Sequence, residues 1–303
     1  MKHFFILNPA SGPKDRTQEL IKEIELIFKE RDDSYEIYVT KGPKDSFTIA
    51  SLKSKNLTEE TIFYACGGDG TSFDVINGIA GVKNAYFAVY PIGSCNDFLK
   101  TFPEYDFKDL KSLVNGTFKG IDIGKANEYY YLNEINIGFD ARVNDDCNNS
   151  KYKAINVKKA YNKAVIKNFF RFKTQTIKIT SNNKEIINEK LLLLVFANGK
   201  YYGSKYNCAP YANPSDGVMD LISVKKVSRF KFLNLIGKYE KGLHLDNPKF
   251  KKIVEWHKLN NIEIESNEDM VTCLDGEIFH WKKINIQVLK HGIQMLFPKV
   301  NNE

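Results

Sequence analysis

A chain of 303 residues, 43% hydrophobic and 27% charged, has the composition of a folded globular protein and the length of two ordinary domains, which excludes fibrous and disordered classes. Its net charge of +7, from 44 Lys and Arg against 37 Asp and Glu, is too modest to define a partner unless the excess is clustered. Five cysteines, odd in number and without a C-x-x-C spacing, suggest neither a disulfide framework nor a zinc site and fit a reduced, cytoplasmic protein.

In chain order, HFFILNP reads as a buried strand closed by an Asn-Pro turn. Residues 15 to 31 follow with Leu20, Ile24, Ile27 and Phe28 at helical spacing. YEIYVT alternates as a second strand, and GPKDSFTIASLKSK carries a helix start. TIFYACGGDG and then TSFDVINGIAG repeat the order strand, glycine loop, helix, and AYFAVYPIGSCNDFLKTF runs one more strand into a loop. Strands alternating with helices predict an α/β domain with a parallel sheet and crossover helices, whose ligands sit at the carboxyl ends of the strands.

Beyond about Ile121 the pattern changes. QTIKITSNNKEIINEKLLLLVFANG predicts a hairpin around Asn182 and Asn183, and residues 261 to 297 read as short strands with polar turns, a β-rich and mostly antiparallel second domain. Two helical insertions are expected near residues 151 to 171 and 228 to 241. No apolar run is long enough to span a bilayer, the longest being Leu191 to Ala197, and Phe4 to Leu7 is too short for a signal-peptide core.

The charge is clustered in those insertions. Residues 151 to 173 hold eight Lys or Arg and no acid, interleaved with Tyr, Val, Ile and Phe, and residues 225 to 252 hold nine against Glu240 and Asp246. Such helices suit an anionic membrane surface, each basic residue adding roughly 1 kcal/mol there. They equally suit a solvated face over an ordinary core. No nucleic-acid-binding motif accompanies the charge, so nucleic acid is not an expected partner.

Glycines at a strand-to-helix junction let backbone N–H groups approach an anion, and the helix N-terminus adds partial positive charge. GGDGT (Gly67, Gly68, Asp69, Gly70, Thr71) is such a junction; NPASGPKD, residues 8 to 15, is a second. Neither matches the G-x-x-x-x-G-K-[ST] or G-x-G-x-x-G patterns, and either alone can be a tight turn. Two in one sheet favour a shared nucleotide site. The five histidines show no metal-ligand spacing.

ILNPASG, CGGDGTSFDVING, PIGSCNDF, NIGFDARV, NCAPYANPSDGVMDL and CLDGE, in this order and spacing, resemble the diacylglycerol kinase catalytic-domain family, which includes bacterial soluble lipid kinases and sphingosine kinases. The resemblance runs from Phe5 to about Phe297. GGDGT is shared with NAD kinases and phosphofructokinases; PSDGVMDL and DGE point to the lipid kinase branch. The resemblance implies transfer of the ATP γ-phosphoryl to a lipid hydroxyl, with diacylglycerol as the leading acceptor, at a cleft between a nucleotide domain (1–125, with 285–303 returning to it) and a β-sandwich lipid domain (126–284). It implies ATP contacts at Asn8, Pro9, Ala10, Ser11 and Gly12, at Thr40, at Gly67, Gly68, Asp69, Gly70 and Thr71, and at Ser94. Asp275 of DGE falls on the general base. Asp69, Asp97 and Asp122 fall on acidic positions of the magnesium and charge network, and a separate structural Mg2+ would use Asn213, Asp216 and the carbonyl of Val218.

Phosphoryl transfer needs charge neutralisation and a base for the alcohol proton, which such residues provide. Asp275 also reads as an ordinary Asp-Gly turn residue, Asp216 and Asp220 as turn formers, and Asp97 as a helix cap. The chain departs from the family at Ser94, where Thr is usual, and at Leu99-Lys100, where Ala-Arg is usual. YYGSKYN is less glycine-rich than the usual loop. These departures bear on acceptor choice. The expectation is a cytoplasmic, peripherally membrane-associated lipid kinase using Mg-ATP, possible as a homodimer. A kinase for a soluble acceptor such as NAD, or a non-catalytic lipid- or nucleotide-binding protein of the same fold, is the alternative.

Overall fold

A computed structural model describes residues 1–93, 95–150, 157–171 and 173–300. The chain divides into two compact units, one of residues 1–123, 129–132 and from 289 on, the other of residues 124–128 and 133–288.

The first unit alternates strand and helix: β1 (Lys2–Leu7), α1 (Thr17–Phe28), β2 (Ser34–Val39), α2 (Asp45–Ser54), β3 (Thr61–Gly67), α3 (Asp69–Ile79) and β4 (Ala85–Pro91). A 3-10 turn (Asp97–Thr101), α4 (Leu110–Val114), β5 (Thr117–Ala126) and β6 (Tyr129–Tyr131) follow. The strands pair in parallel in the order β4-β3-β1-β2. Every residue of β3 is buried, as expected of a central parallel strand covered on both faces. Leu20, Ile24 and Phe28 form the buried stripe of α1.

The second unit contains β7 (Glu134–Gly138), α5 (Phe139–Asn148), α6 (Val157–Arg171), β8 (Gln175–Ser181), β9 (Lys184–Ala197), β10 (Tyr201–Tyr202) and β11 (Tyr206–Asn207). It continues with β12 (Met219–Lys225), α7 (Arg229–Tyr239), β13 (Val254–Leu259), β14 (Asn261–Leu274) and β15 (Glu277–Phe297). Asn182 and Asn183 both take positive φ, 49° and 61°, and close the β8–β9 hairpin as the sequence predicts. The long β9 pairs with β8 along its first half and with β7 and β12 along its second, so that it joins all three into one sheet. From Leu289 onward β15 belongs to the first unit, where Met295 pairs in parallel with Phe87 of β4.

Both helical insertions are present as α6 and α7, although residues 151 to 156 of the first lie outside the described residues. Helix α5 is not expected from the sequence: it buries only Phe139, Ala141, Val143 and Cys147 and is otherwise polar. Among the described residues no helix is long and apolar enough to cross a membrane.

Candidate active site

In the first unit the loops after β1, β3 and β4 meet at the carboxyl ends of their strands. The Asn8 amide N–H donates to the Cys66 carbonyl at 3.0 Å, and those of Ile92 and Gly93 donate to the Gly67 carbonyl at 3.0 and 3.1 Å. The Asn8 side chain joins two of the loops: Nδ2 donates to Thr71 Oγ1 at 3.0 Å, and Oδ1 accepts from the Ala10 N–H at 3.0 Å. Thr40, buried after β2, donates its N–H to the Leu7 carbonyl at 2.9 Å.

Glycine is required here by loop-to-loop packing. A Cβ on Gly12, whose φ is +82°, would lie 2.6 Å from the Ile92 carbonyl oxygen, and one on Gly93 would lie 2.5 Å from the Cα of Gly68. At Gly67 it would occupy the place of the Thr71 side chain. Helix α3 begins at Asp69, so GGDGT is the last residue of β3, the cap and the first turn, in which Gly70 is exposed and the Thr71 and Ser72 N–H groups donate to the Gly68 carbonyl at 3.0 and 3.1 Å.

Asp69 anchors the third loop. Its carboxylate accepts from the N–H groups of Asn96 (3.0 Å) and Asp97 (2.9 Å), and Asn96, at φ 47°, returns Nδ2 to the Gly67 carbonyl at 3.1 Å. Ligand atoms of Asp69, Cys95 and Asp97 lie within 4.8 Å of one another. Lys100 meets Asp97 at 2.5 Å. Burial, and then the neighbouring Asp97 carboxylate, push the Asp69 carboxyl up to about 6. Two carboxylates held together under that penalty fit a divalent cation, and a hard ion would take their oxygens in preference to the thiol. Asp122 is not part of this cluster; its carboxylate accepts from the His291 N–H at 2.7 Å, tying β5 to the last part of β15. Ser94 lies outside the described residues.

In the second unit Asp275 is both a turn residue and more than one. Asp275 and Gly276 have φ of 45° and 98° and close the two-residue hairpin between β14 and β15, where Leu274 pairs with Glu277. An ordinary turn aspartate faces water; this one is buried. Its Oδ1 accepts from the N–H groups of Asn133 (3.0 Å) and Glu134 (2.8 Å), and its own N–H donates to the Glu134 carbonyl at 3.1 Å. Asn133 and the buried Glu134 were not singled out by sequence. The Asn133 carbonyl in turn accepts from the N–H groups of Asn198 and Gly199, fixing the loop toward β10.

The turn carrying Asn213, Asp216 and Val218 brings those three residues together: the Asp216 N–H donates to the Asn213 carbonyl at 3.4 Å, and Asp216 Oδ1 accepts from the Val218 N–H at 3.2 Å. Its other oxygen meets the Lys258 ammonium at 2.7 Å. Asp220 is buried and accepts from Trp256 Nε1.

Residues 2–126 match the family model of the diacylglycerol kinase catalytic domain, and residues 133–297 match that of the YegS C-terminal NAD kinase beta sandwich-like domain. A diacylglycerol kinase of Bacillus subtilis (strain 168) is 27% identical over 304 residues, covering 98% of this chain and 97% of its own. The crystal structure of a diacylglycerol kinase from Bacillus anthracis str. Sterne is similar with a TM-score of 0.71 at 24% identity, covering 98% and 96% of the two chains. An NAD kinase from Archaeoglobus fulgidus, solved in complex with ATP, shares the fold more distantly, with a TM-score of 0.51 at 13% identity over 99% and 94%.

Proposed function

Because the chain belongs to the diacylglycerol kinase catalytic-domain family, and so is a phosphotransferase with an alcohol acceptor, we propose that it transfers the γ-phosphoryl of Mg-ATP to a lipid hydroxyl, that of diacylglycerol first among them. The observation that carries this reading is Asp275, a carboxylate buried and anchored in a position where a hairpin turn alone would leave it in solvent.

In this reading the Asn8–Gly12 loop, Thr40 and Gly67–Thr71 hold ATP. The glycines keep side chains off the start of α3, so that the exposed Gly70 backbone and the positive end of the helix would face phosphate oxygens. Asp69 and Asp97 would hold magnesium, which would supply neutralisation of phosphate charge. Asp275 accepts the proton of the acceptor hydroxyl, and the Asn133 and Glu134 N–H groups keep its carboxylate in one rotamer.

A lipid acceptor has to be met at its membrane. Helices α6 and α7 expose Ile166, Phe170, Phe230 and Leu233, and Arg229 of α7 donates to the Phe170 carbonyl at 2.6 Å, so the two apolar sets are neighbours. Lys163, Arg171 and Lys231 are exposed around them. Apolar tips ringed by basic residues suit peripheral contact with an anionic bilayer.

Transfer of radiolabelled phosphate from ATP to diacylglycerol in mixed micelles containing an anionic lipid tests the proposal. Inactivity on every lipid alcohol offered, with phosphorylation of NAD in detergent-free buffer, would replace it with the soluble-acceptor reading.

A further inference from the structure

A thiol stands among the carboxylates of the first unit. Asp69 opens α3, whereas Cys95 and Asp97 come from the segment between β4 and the 3-10 turn that Asp97 starts. One ligand atom from each lies within 4.8 Å of the other two. The backbone holds this arrangement on both sides of Cys95: the Gly93 N–H donates to the Gly67 carbonyl, and the Asn96 and Asp97 N–H groups donate to the Asp69 carboxylate.

Cys95 differs from the other four cysteines. Cys66, Cys147, Cys208 and Cys273 are buried, and burial pushes the thiols of Cys66 and Cys208 up and that of Cys273 to about 12. Thiols enclosed in this way are inert toward ions. Cys95 is only half-buried, so an ion from solvent can reach it. Asn96, between the two ligand residues of this segment, supplies a second observation. It is more than nine-tenths buried and both its N–H and its Nδ2 are used, yet its Oδ1 has no donor among the described residues. That oxygen faces bare backbone, since a Cβ on Gly93 would lie 3.2 Å from it. A buried amide oxygen without a donor is costly until a cation or a donor reaches it.

Magnesium has no use for sulfur, but zinc and the neighbouring late transition ions bind thiolate strongly and accept carboxylate oxygen as well. Two Asp and one Cys give three protein ligands, and a tetrahedral ion keeps its fourth position for water or a phosphate oxygen. The thiol proton passes to solvent as the metal–sulfur bond forms. Lys100, 2.5 Å from Asp97 Oδ1, competes with any ion for that oxygen; sulfur coordination favours the soft ion in this competition and does nothing for magnesium.

Resting on the reading in which Asp69 and Asp97 would hold magnesium, we propose that Asp69, Cys95 and Asp97 form a site for a thiophilic divalent ion of the zinc class, which binds in place of magnesium and inhibits phosphoryl transfer. An ion drawn to the sulfur and satisfied by four ligands does not reproduce the octahedral oxygen shell that magnesium keeps around phosphates.

The test is titration of the metal-free protein with Co2+, a spectroscopic stand-in for Zn2+, without nucleotide or lipid. A thiolate-to-cobalt charge-transfer band in the near ultraviolet is expected, abolished by Zn2+ and indifferent to the same concentration of Mg2+. Cys95→Ser, which keeps the size and loses the thiolate, is expected to abolish the band and to weaken Zn2+ binding by about tenfold or more in competition with a chromophoric chelator. Asp97→Asn keeps the band and weakens the binding. In Mg-ATP turnover, the Zn2+ concentration that halves the rate rises by a similar factor in Cys95→Ser. Should that variant fail to fold, alkylation of the wild type mapped by peptide mass decides, with Zn2+ slowing the labelling of Cys95. A spectrum without the band, a band that survives in Cys95→Ser, equal Zn2+ inhibition of both proteins, or labelling of Cys95 that ignores Zn2+ overturns the proposal. A protein that binds Co2+ through Cys95 yet phosphorylates no lipid alcohol with Mg-ATP overturns the lipid kinase reading instead and leaves the ion site standing.

Discussion

Two hydrogen bonds join the Glu134 backbone to Asp275: the Glu134 N–H donates to the Asp275 carboxylate at 2.8 Å, and the Glu134 carbonyl accepts from the Asp275 N–H at 3.1 Å. The carboxylate orientation is thus set by β7 rather than by the turn that carries it. Asp275→Asn retains an oxygen that can accept from the same two N–H groups, so the fold should persist. Turnover should fall by about 10²- to 10⁴-fold, the range of a lost general base, with ATP affinity and melting temperature little changed. Steady-state kinetics with calorimetric ATP titration checks this; an active Asn variant would remove Asp275 from the mechanism.

Asp69 and Asp97 make the first unit pH-sensitive. Burial and the Asp97 charge move the Asp69 carboxyl from 3.8 to about 6, so in that window the folded protein keeps a proton that the unfolded chain has lost. Metal-free stability should therefore fall as pH rises from 3.8 through 6, and the deficit should be fully present above it. Asp97→Asn removes the like charge. It should recover stability at pH 8 on the order of 1 kcal/mol, flatten the difference between melts at pH 5 and pH 8, and raise the Mg2+ concentration for half-maximal activity. Identical pH slopes in the two proteins would show that the carboxylates do not interact.

Much of this was legible in the sequence. The parallel unit declared itself through β3 and its neighbours, because buried parallel strands are continuous apolar runs and crossover helices carry a stripe such as Leu20, Ile24 and Phe28. The hairpins at Asn182-Asn183 and Asp275-Gly276 were marked by residues that tolerate left-handed backbone. Helix α5 was not legible, since a helix that buries four residues at the edge of a sheet has no strong 3.6-residue period. Nor were the partners of the site residues. That Gly93 abuts Gly68, or that Asn133 faces Asp275, depends on contacts between segments far apart in the chain, which no local pattern encodes.

Lys258 and Asp216 are such a pair, 42 positions apart, brought together because β12 and β13 place Asp220 opposite Lys258. An ammonium at 2.7 Å from the Asp216 carboxylate would compete with a divalent ion for that oxygen. Lys258→Met leaves Asp216 unpaired and should open the turn to Mg2+. The increase in melting temperature on adding Mg2+ should be several degrees larger for Lys258→Met than for the wild type. An equal increase in both would mean that the ion and the lysine do not compete.

Phe170 and Phe230 are 68% and 87% exposed, on helices whose inward residues Ala160, Ala164, Phe232 and Leu235 are buried. An exposed phenylalanine contributes nothing to the core, so its removal should cost the fold little, whereas its transfer into a bilayer interface is worth up to about 1.5–3 kcal/mol. Replacing both with Ser should weaken binding to vesicles rich in anionic lipid by about 10- to 100-fold while leaving the melting temperature unchanged. Charge and apolar contact can be separated in the same assay, because screening acts on the Lys and Arg residues and not on the rings. Raising salt should weaken wild-type binding, and the variant should keep the same salt slope from a lower starting affinity. Sedimentation with anionic and neutral vesicles measures both effects. Wild-type binding that ignores lipid charge, or a double variant that binds as well as the wild type, would show that α6 and α7 are an ordinary solvated face.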